Sequence, residues 1–207
     1  MTVQASQTST PEDATPPITG NRPTYLLVDG ENIDATLGMS VLGRRPNSEE
    51  RPRWDRIRTF AQNVWGQPVI PLFFLNATSG HLPMGFVSAL LAMGYKPIPL
   101  SGSGRSDEKV VDIGIQRTLN AIVQREGDVI LASHDGDFIP QMEGLLTAED
   151  RRVGVLVFRE FLNARVAEIG DGRIEVFDLE QDAGAFTTML PRVRIIPLDE
   201  FDPARYL

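Results

Sequence analysis

Short apolar runs alternate with helical stripes along most of the chain, and this alternation limits the fold more than any other sequence feature. Runs of strand type cover residues 24–29, 69–75, 96–100, 128–132, 153–158 and 173–177. Helical periodicity covers residues 54–65, 82–93, 107–125, 137–147 and 160–168. This order is typical of βαβ units, so we expect an α/β protein with three α/β/α layers around a central, mostly parallel sheet.

The two ends of the chain differ from this central part. Residues 1–23 are rich in Thr, Ser and Pro and predict a disordered N-terminal tail. Residues 24–185 form the predicted domain, and residues 186–207 form a C-terminal extension that packs on the domain or trails from it. Within the domain, residues 31–53 are rich in Gly, Pro, Arg and Asn and predict a long loop with some helix near Thr36.

Composition excludes several kinds of chemistry. The chain has no cysteine and two histidines, which removes disulfides, thiol nucleophiles and zinc sites of the Cys or His type. Any metal must therefore be a hard cation on oxygen ligands. No apolar run reaches the ~18 residues of a membrane helix, and the N-terminus lacks the pattern of a signal peptide. We expect a cytoplasmic protein with no membrane partner.

Carboxylates follow two of the predicted strands. Asp29 ends the first strand, and Asp135 and Asp137 follow strand 128–132. In a parallel sheet the carboxyl ends of all strands meet at one edge, where ligands bind near the switch in strand order. Asp112, in the opening turns of helix 107–125, reaches this edge only if the fold carries that helix across it.

Each of these acids also has an ordinary structural explanation. Asp29 with Gly30 can form a turn, Asp137 can cap a helix, and Asp112 can complement a helix dipole. Together at one edge, however, they would repel one another, and a divalent cation would offset that repulsion.

Three segments in order resemble a known family: the strand that ends in DGEN at residues 29–32, the K-x-x-D step from Lys109 to Asp112, and SHDGDF at residues 133–138. They are similar to the NYN domain of the PIN-like nuclease superfamily, in its LabA-like branch, over residues 24–177. Val110 and His134 depart from the usual pattern of that branch. The resemblance implies a PIN-like fold, Mg²⁺ or Mn²⁺, and metal-dependent cleavage of RNA. The implied metal and catalytic cluster is Asp29, Asp112, Asp135 and Asp137, with Asn32 and Ser133 beside it.

Within that cluster we expect Asp29 and Asp137 to bind metal directly, with Asp112 and Asp135 either binding directly or orienting water. The roles of the neighbouring polar residues remain open. Asn32 either fixes Asp29, contacts phosphate or forms a turn. Ser133 either contacts phosphate or forms a turn, and Lys109 either meets phosphate or is a solvated lysine. We expect His134 to lie in a loop at the rim of the pocket.

The charge of the chain is −8, but it is unevenly spread. Residues 99–150 hold ten acids and four bases, whereas residues 44–58 hold six arginines and three acids. An acidic site cannot attract RNA unaided, so we assign substrate binding to this basic stretch. The residues assigned are Arg44, Arg45, Arg51 and Arg53. Scattered solvated charge is the alternative.

Two other functions compete with a ribonuclease. A haloacid-dehalogenase-like phosphatase also places an Asp after its first strand, but it needs a second Asp two residues later, where this chain has Glu31. A non-catalytic PIN-like module that binds RNA or protein is the alternative from another class. The sequence leaves open a homodimer or a regulatory protein partner.

Overall fold

The computed structural model describes residues 22–102, 109–192, 198 and 201–205. Six parallel strands form one sheet in the order β3-β2-β1-β4-β5-β6. The strands are β1 (Thr24–Asp29), β2 (Val69–Asn76), β3 (Lys96–Leu100), β4 (Asp128–Ala132), β5 (Val153–Val157) and β6 (Ile174–Asp178). The predicted three-layer α/β/α architecture is confirmed, and every strand pair is parallel.

Helices cover both faces of this sheet. They are α1 (Gly30–Thr36), α2 (Trp54–Asn63), α3 (Met84–Ala92), α4 (Val110–Val123), α5 (Ile139–Leu145) and α6 (Ala164–Glu168). One apolar core joins α1, α2 and α3 to the sheet, and a second joins α4, α5 and α6 to its other face. Burial on both faces explains why β4 and β5 are apolar at nearly every position.

Strand order reverses between β1 and β4, which lie side by side at the centre of the sheet. In register, Thr24 of β1 faces Val69 of β2 on one side and Asp128 of β4 on the other. The carboxyl ends of β1 and β4 therefore open at the same point of the same edge. This is the switch point at which ligands bind in sheets of this kind.

The helix expected near Thr36 is present, but the first part of residues 31–53 is more helical than the expected long loop. The chain turns directly from β1 into α1, continues as a π-helix (Leu37–Leu42), and later forms a 3₁₀ turn (Ser48–Glu50). Asp29 caps α1 by accepting a hydrogen bond from the Asn32 amide, 3.1 Å away. Buried Ile33 and Leu37 hold this helix on the sheet. Helix α1 has few apolar positions, mixed with Gly and Asn, so helical periodicity does not mark where it begins.

Two helix starts also differ from the expectations. A 3₁₀ turn (Gly136–Phe138) precedes α5, and another (Arg159–Phe161) precedes the short α6. The long helix α4 begins at Val110; residues 107 and 108, where it was expected to start, lie outside the described residues.

Residues at both expected domain limits contact the domain. The predicted tail falls mainly outside the described residues, but Arg22 forms an ion pair with Asp128 at 3.0 Å. Past residue 185, Phe186 and Leu190 belong to the core on the α1 face. Among the described residues, no helix has both the length and the apolar character needed to cross a membrane.

Gly30 begins α1 at a position where a side chain does not fit. A Cβ there would lie 2.7 Å from Cε1 of Phe73 and closer still to its Cζ. The Phe73 ring is 2% exposed and is packed edge-on by Trp54 and Phe86, with centroids 4.9 and 5.4 Å away, so it has little freedom to move. The turn from β1 into α1 therefore depends on this glycine.

We predict that Gly30→Ala lowers the free energy of unfolding by about 1–3 kcal/mol, because overpacking strains the core. Gly85→Ala is the matched control, since Gly85 also lies in the first turn of a helix but has open space within 4 Å of the place that a Cβ would take. We expect the control to be neutral or to gain up to about 1 kcal/mol, because alanine costs less entropy than glycine in a helix. Urea unfolding measures both variants, and equal stability of the two would contradict the prediction.

Candidate metal centre

Three carboxylates converge at the switch-point edge. Asp112, Asp135 and Asp137 each bring one oxygen within 4.8 Å of the others. Asp112 lies in the first turn of α4, which crosses the edge as the cluster requires, while the other two belong to the loop after β4. Their side chains range from largely buried to exposed, at 19% for Asp112 and 58% for Asp137. The cluster therefore opens to solvent on the Asp137 side.

The loop that carries Asp135 and Asp137 is held by its own backbone and by α4. Oδ1 of Asp135 accepts a hydrogen bond from the Asp137 amide at 2.9 Å and caps the 3₁₀ turn. Gln116 of α4 donates from Nε2 to the Asp137 carbonyl at 3.3 Å. Gly136 between the two acids leaves room for Asn163, whose Nδ2 would lie 2.5 Å from a Cβ there.

Gln116 and Asn163 support the site, although neither was among the residues predicted from the sequence. Gln116 follows Asp112 by four residues, so both lie on one face of α4, and that spacing was a usable signal. Asn163 follows β5 and reaches Gly136 only through the fold, so no local pattern indicates its position.

Lys109 lies across the acidic cluster. Its Nζ is 2.8 Å from Oδ2 of Asp137 and 3.3 Å from Oδ2 of Asp112. Hydrogen bonds to Asp137 and then Asp112 raise the pKa of the ammonium group above its ordinary value. The side chain is 63% exposed, so this charge can move away without leaving a buried cavity.

Asp29 lies beside the three convergent acids rather than among them. Its side chain is buried, with the residue 3% exposed, and both oxygens accept hydrogen bonds. Oδ1 accepts from the Asn32 amide and Oδ2 from Ser133 Oγ, each at 3.1 Å. Burial raises the pKa of Asp29 to about 6, although these two hydrogen bonds oppose the rise, and the charge of Asp112 adds to it. Asp29 therefore joins the first turn of α1 to the loop after β4 from inside the sheet.

Asn32 and Ser133 are also bonded within the protein. Ser133 Oγ donates to Asp29 and accepts from the Asp135 amide at 3.2 Å. The side-chain oxygen Oδ1 of Asn32 accepts a hydrogen bond from the His134 amide at 2.8 Å. These bonds position the loop after β4, and the bond from the amide two residues later to Ser133 Oγ fits the expected turn role of Ser133. Contact of either side chain with phosphate stays a prediction.

His134 lies in the loop after β4, as expected, and its ring bonds to the end of β5. Its Nε2 accepts a hydrogen bond from the Phe158 amide at 2.8 Å, so the ring proton is assigned to Nδ1. Nδ1 lies 3.2 Å from the side-chain oxygen Oδ1 of Asn32. The ring stacks on Phe158, with centroids 5.5 Å apart and planes 18° apart. Burial lowers the pKa of His134 to about 4. This imidazole joins the loop after β4 to the end of β5.

Three of the six arginines in the stretch 44–58 are paired with acids. Arg44 forms a two-point ion pair with Glu50, at 2.8 and 2.5 Å. Two further pairs are Arg51 with Asp34 at 3.2 Å and Arg53 with Asp55 at 3.5 Å. Of the four arginines assigned to substrate binding, Arg45 alone has no carboxylate partner among the described residues. The positive potential of this stretch is therefore smaller than its composition indicates.

Comparison with known proteins yields a fold likeness and no family. No family model matches the chain, and no curated protein is significantly similar to it in sequence. A crystal structure of a protein of unknown function from Vibrio parahaemolyticus is similar, with a TM-score of 0.62 and 19% sequence identity. The similarity covers 78% of this chain and 94% of that chain. At this identity the likeness shows the fold alone.

The buried, neutral state of His134 predicts a loss of stability in acid. Its folded pKa is about 4 against an ordinary value of 6.5, so between these values the unfolded chain binds more protons. The stabilisation is complete above about pH 6.5 and is lost as the pH falls towards 4. His134→Gln keeps an acceptor for the Phe158 amide but cannot titrate.

We predict that wild type loses on the order of 2 kcal/mol more than His134→Gln between pH 7.5 and 4.5, from 1.36 kcal/mol per pKa unit. Urea unfolding at the two pH values measures the difference. Asp29 titrates with the opposite sign but is present in both proteins, so it cancels. Parallel pH profiles for the two proteins would contradict a buried neutral imidazole.

Proposed function

We propose that this protein is a ribonuclease of the PIN-like NYN type that depends on Mg²⁺ or Mn²⁺. The observation that supports this most is the meeting of Asp112, Asp135 and Asp137 at the switch-point edge of a parallel sheet. Two of these acids come from the loop after β4 and the third from α4, so the cluster is a product of tertiary structure. The motif resemblance supplies the reaction class, and the geometry supports a cation site.

The donor set fits a hard divalent cation. All three groups are carboxylates, and Mg²⁺ and Mn²⁺ prefer oxygen ligands. The Lys109 ammonium lies between Asp137 and Asp112, which indicates that this point attracts positive charge. A divalent cation held by the three acids would stabilise charge on a scissile phosphate and activate water for hydrolysis.

The chain's own residues have distinct roles in this proposal. Asp112, Asp135 and Asp137 would hold the cation. Asp29 accepts a hydrogen bond from the Ser133 hydroxyl, which itself accepts one from the Asp135 amide and so positions that acid. A cation held by these acids would leave the Lys109 ammonium free to bind a phosphate oxygen of the substrate. The substrate is RNA, single-stranded or structured, and the protein acts in the cytoplasm. A homodimer or a regulatory protein partner is compatible with this role.

The phosphatase alternative receives little support from the geometry. Its nucleophile would be Asp29, but that carboxylate is buried and both of its oxygens accept hydrogen bonds. The non-catalytic binding module has one observation in its favour. Lys109 already compensates Asp137 and Asp112, so the fold balances these charges without a metal.

We predict that the protein cleaves RNA with Mn²⁺ or Mg²⁺ and that EDTA stops the reaction. Asp137→Asn and Asp112→Asn should each lower the rate by about 100-fold or more, because each removes a charged cation ligand. Glu143→Gln is the control, since Glu143 is an exposed acid of α5 outside the cluster. A gel assay with a labelled RNA measures cleavage.

The same variants separate an enzyme from a binding module. If RNA binds in EDTA but wild type never cleaves it with either metal, the ribonuclease proposal fails and the binding module stands. If cleavage persists in both Asp variants at the rate of Glu143→Gln, the cluster is not the active site.

We predict that Lys109→Met binds Mn²⁺ more tightly than wild type, by up to about tenfold, because the competing ammonium is gone. The same variant should bind RNA more weakly in the presence of the metal. Lys96→Met is a matched control, since Lys96 is the other lysine of the chain and lies exposed on β3. Calorimetry measures Mn²⁺ affinity, and unchanged affinity in Lys109→Met would show that the lysine does not compete for the site.

A further inference from the structure

A cleft of about 470 Å³ opens between α1, α2 and α3 at the carboxyl ends of β1 and β2. This volume is within the range of about 300–1,000 Å³ that is typical of small-molecule sites. Its apolar part includes three aromatic rings and is formed by Trp54, Phe73, Leu75, Phe86 and Met93. Phe86 is half-buried and retains exposed surface, while Trp54 and Phe73 are nearly covered. Phe86 therefore offers the exposed aromatic surface on which a flat ring can stack, and Phe73 packs edge-on against it at 5.4 Å.

The rim of the cleft carries charges that are mostly paired. Arg51 lies 3.2 Å from Asp34, and Arg53 lies 3.5 Å from Asp55. Exposed Glu31 adds a fifth charged group to the lining, which leaves one net negative charge. A free phosphate gains little from such a rim. A neutral ring with donors and acceptors on its edge can bond to both the guanidinium and carboxylate groups.

The first turn of α1 lies between this cleft and the start of the loop that carries Asp135 and Asp137. Gly30 and Glu31 line the cleft. The residues on either side of them, Asp29 and Asn32, bond instead to Ser133 and to the amide of His134. A ring held in the cleft would therefore be separated by this one turn from the loop that leads to the cluster.

We propose that the cleft is a subsite for one nucleobase of the RNA strand whose phosphate reaches Asp112, Asp135 and Asp137. The proposal rests on the proposed function for its substrate class. Aromatic rings stack on any base, and the donors and acceptors of the rim suit the polar edge of a base. An aliphatic peptide side chain would fill the floor but could form no hydrogen bond with the rim groups.

Trp54 provides a direct reporter of this subsite. The chain has two tryptophans, and Trp65 lies elsewhere, stacked under Arg152 and bonded to Glu175. In a Trp65→Phe background, we expect adenosine and the other nucleosides to quench the Trp54 fluorescence saturably, in EDTA. Ribose 5-phosphate, which has no base, should give no quenching. If Trp65→Phe does not fold, the two indole N–H signals of wild type in an NMR titration give the same information.

Two variants of α3 test whether the ligand occupies the cleft. Ala89 is exposed and lines the cleft, whereas Ala92 is exposed on the same helix outside the lining. Ala89→Phe should fill the cleft and weaken nucleoside binding by about tenfold or more. Ala92→Phe adds the same ring beside it and should leave binding within about twofold.

The outcomes separate this proposal from the proposed function, because binding is measured without metal. Saturable quenching that Ala89→Phe abolishes supports the subsite even if no cleavage is ever observed. Metal-dependent cleavage with no effect of nucleosides on Trp54 would overturn the subsite and leave the ribonuclease proposal standing. Quenching that is equal in the Ala89→Phe and Ala92→Phe proteins would also overturn it. So would a response to apolar peptides but not to nucleosides, since the cleft would then be a protein-docking site.

Discussion

The buried carboxylate of Asp29 connects the two strands that flank the switch point, and the arrangement of the edge depends on it. It accepts one hydrogen bond from the first turn of α1 and one from Ser133 after β4. A buried carboxylate is costly without such donors, and its raised pKa of about 6 reflects that cost. Through the Ser133 hydroxyl the same network reaches the Asp135 amide. The position of the acidic loop is thus determined from inside the sheet.

Charge at the edge is compensated over short distances. The chain as a whole carries −8, yet Lys109 lies against two acids of the cluster and three arginines of residues 44–58 lie against nearby acids. Exposed ion pairs of this kind contribute little stability, because water and salt screen them. Their larger effect is on the electrostatic potential, because paired charges attract a polyanion weakly. In the proposed function, attraction of RNA therefore depends on a bound cation together with Lys109 and Arg45.

The segment after β6 is tied to the edge by a buried ionic group. The Arg192 side chain is 2% exposed and contacts Asp178, Glu160 and Glu180. Burial alone would raise the pKa of Asp178, but hydrogen bonds led by Arg192 lower it to about 2. Arg192 also lies over the Phe158 ring, 4.9 Å from its centroid.

Phe158 continues this connection to the acidic loop. Its ring stacks on His134 on one side and on Phe186 on the other, with centroids 5.5 and 5.7 Å away. Breaking a buried charge group leaves an uncompensated charge, so the C-terminal segment is held firmly where the loop after β4 needs support.

The sequence alone determined the architecture, because apolar runs and helical stripes report burial directly, and it placed Asp29, Asp135 and Asp137 at strand ends. Only the tertiary structure decided that Asp112 joins the cluster and that Asp29 turns inward, because both depend on contacts between segments far apart in the chain. It also decided that Arg44, Arg51 and Arg53 are paired with acids.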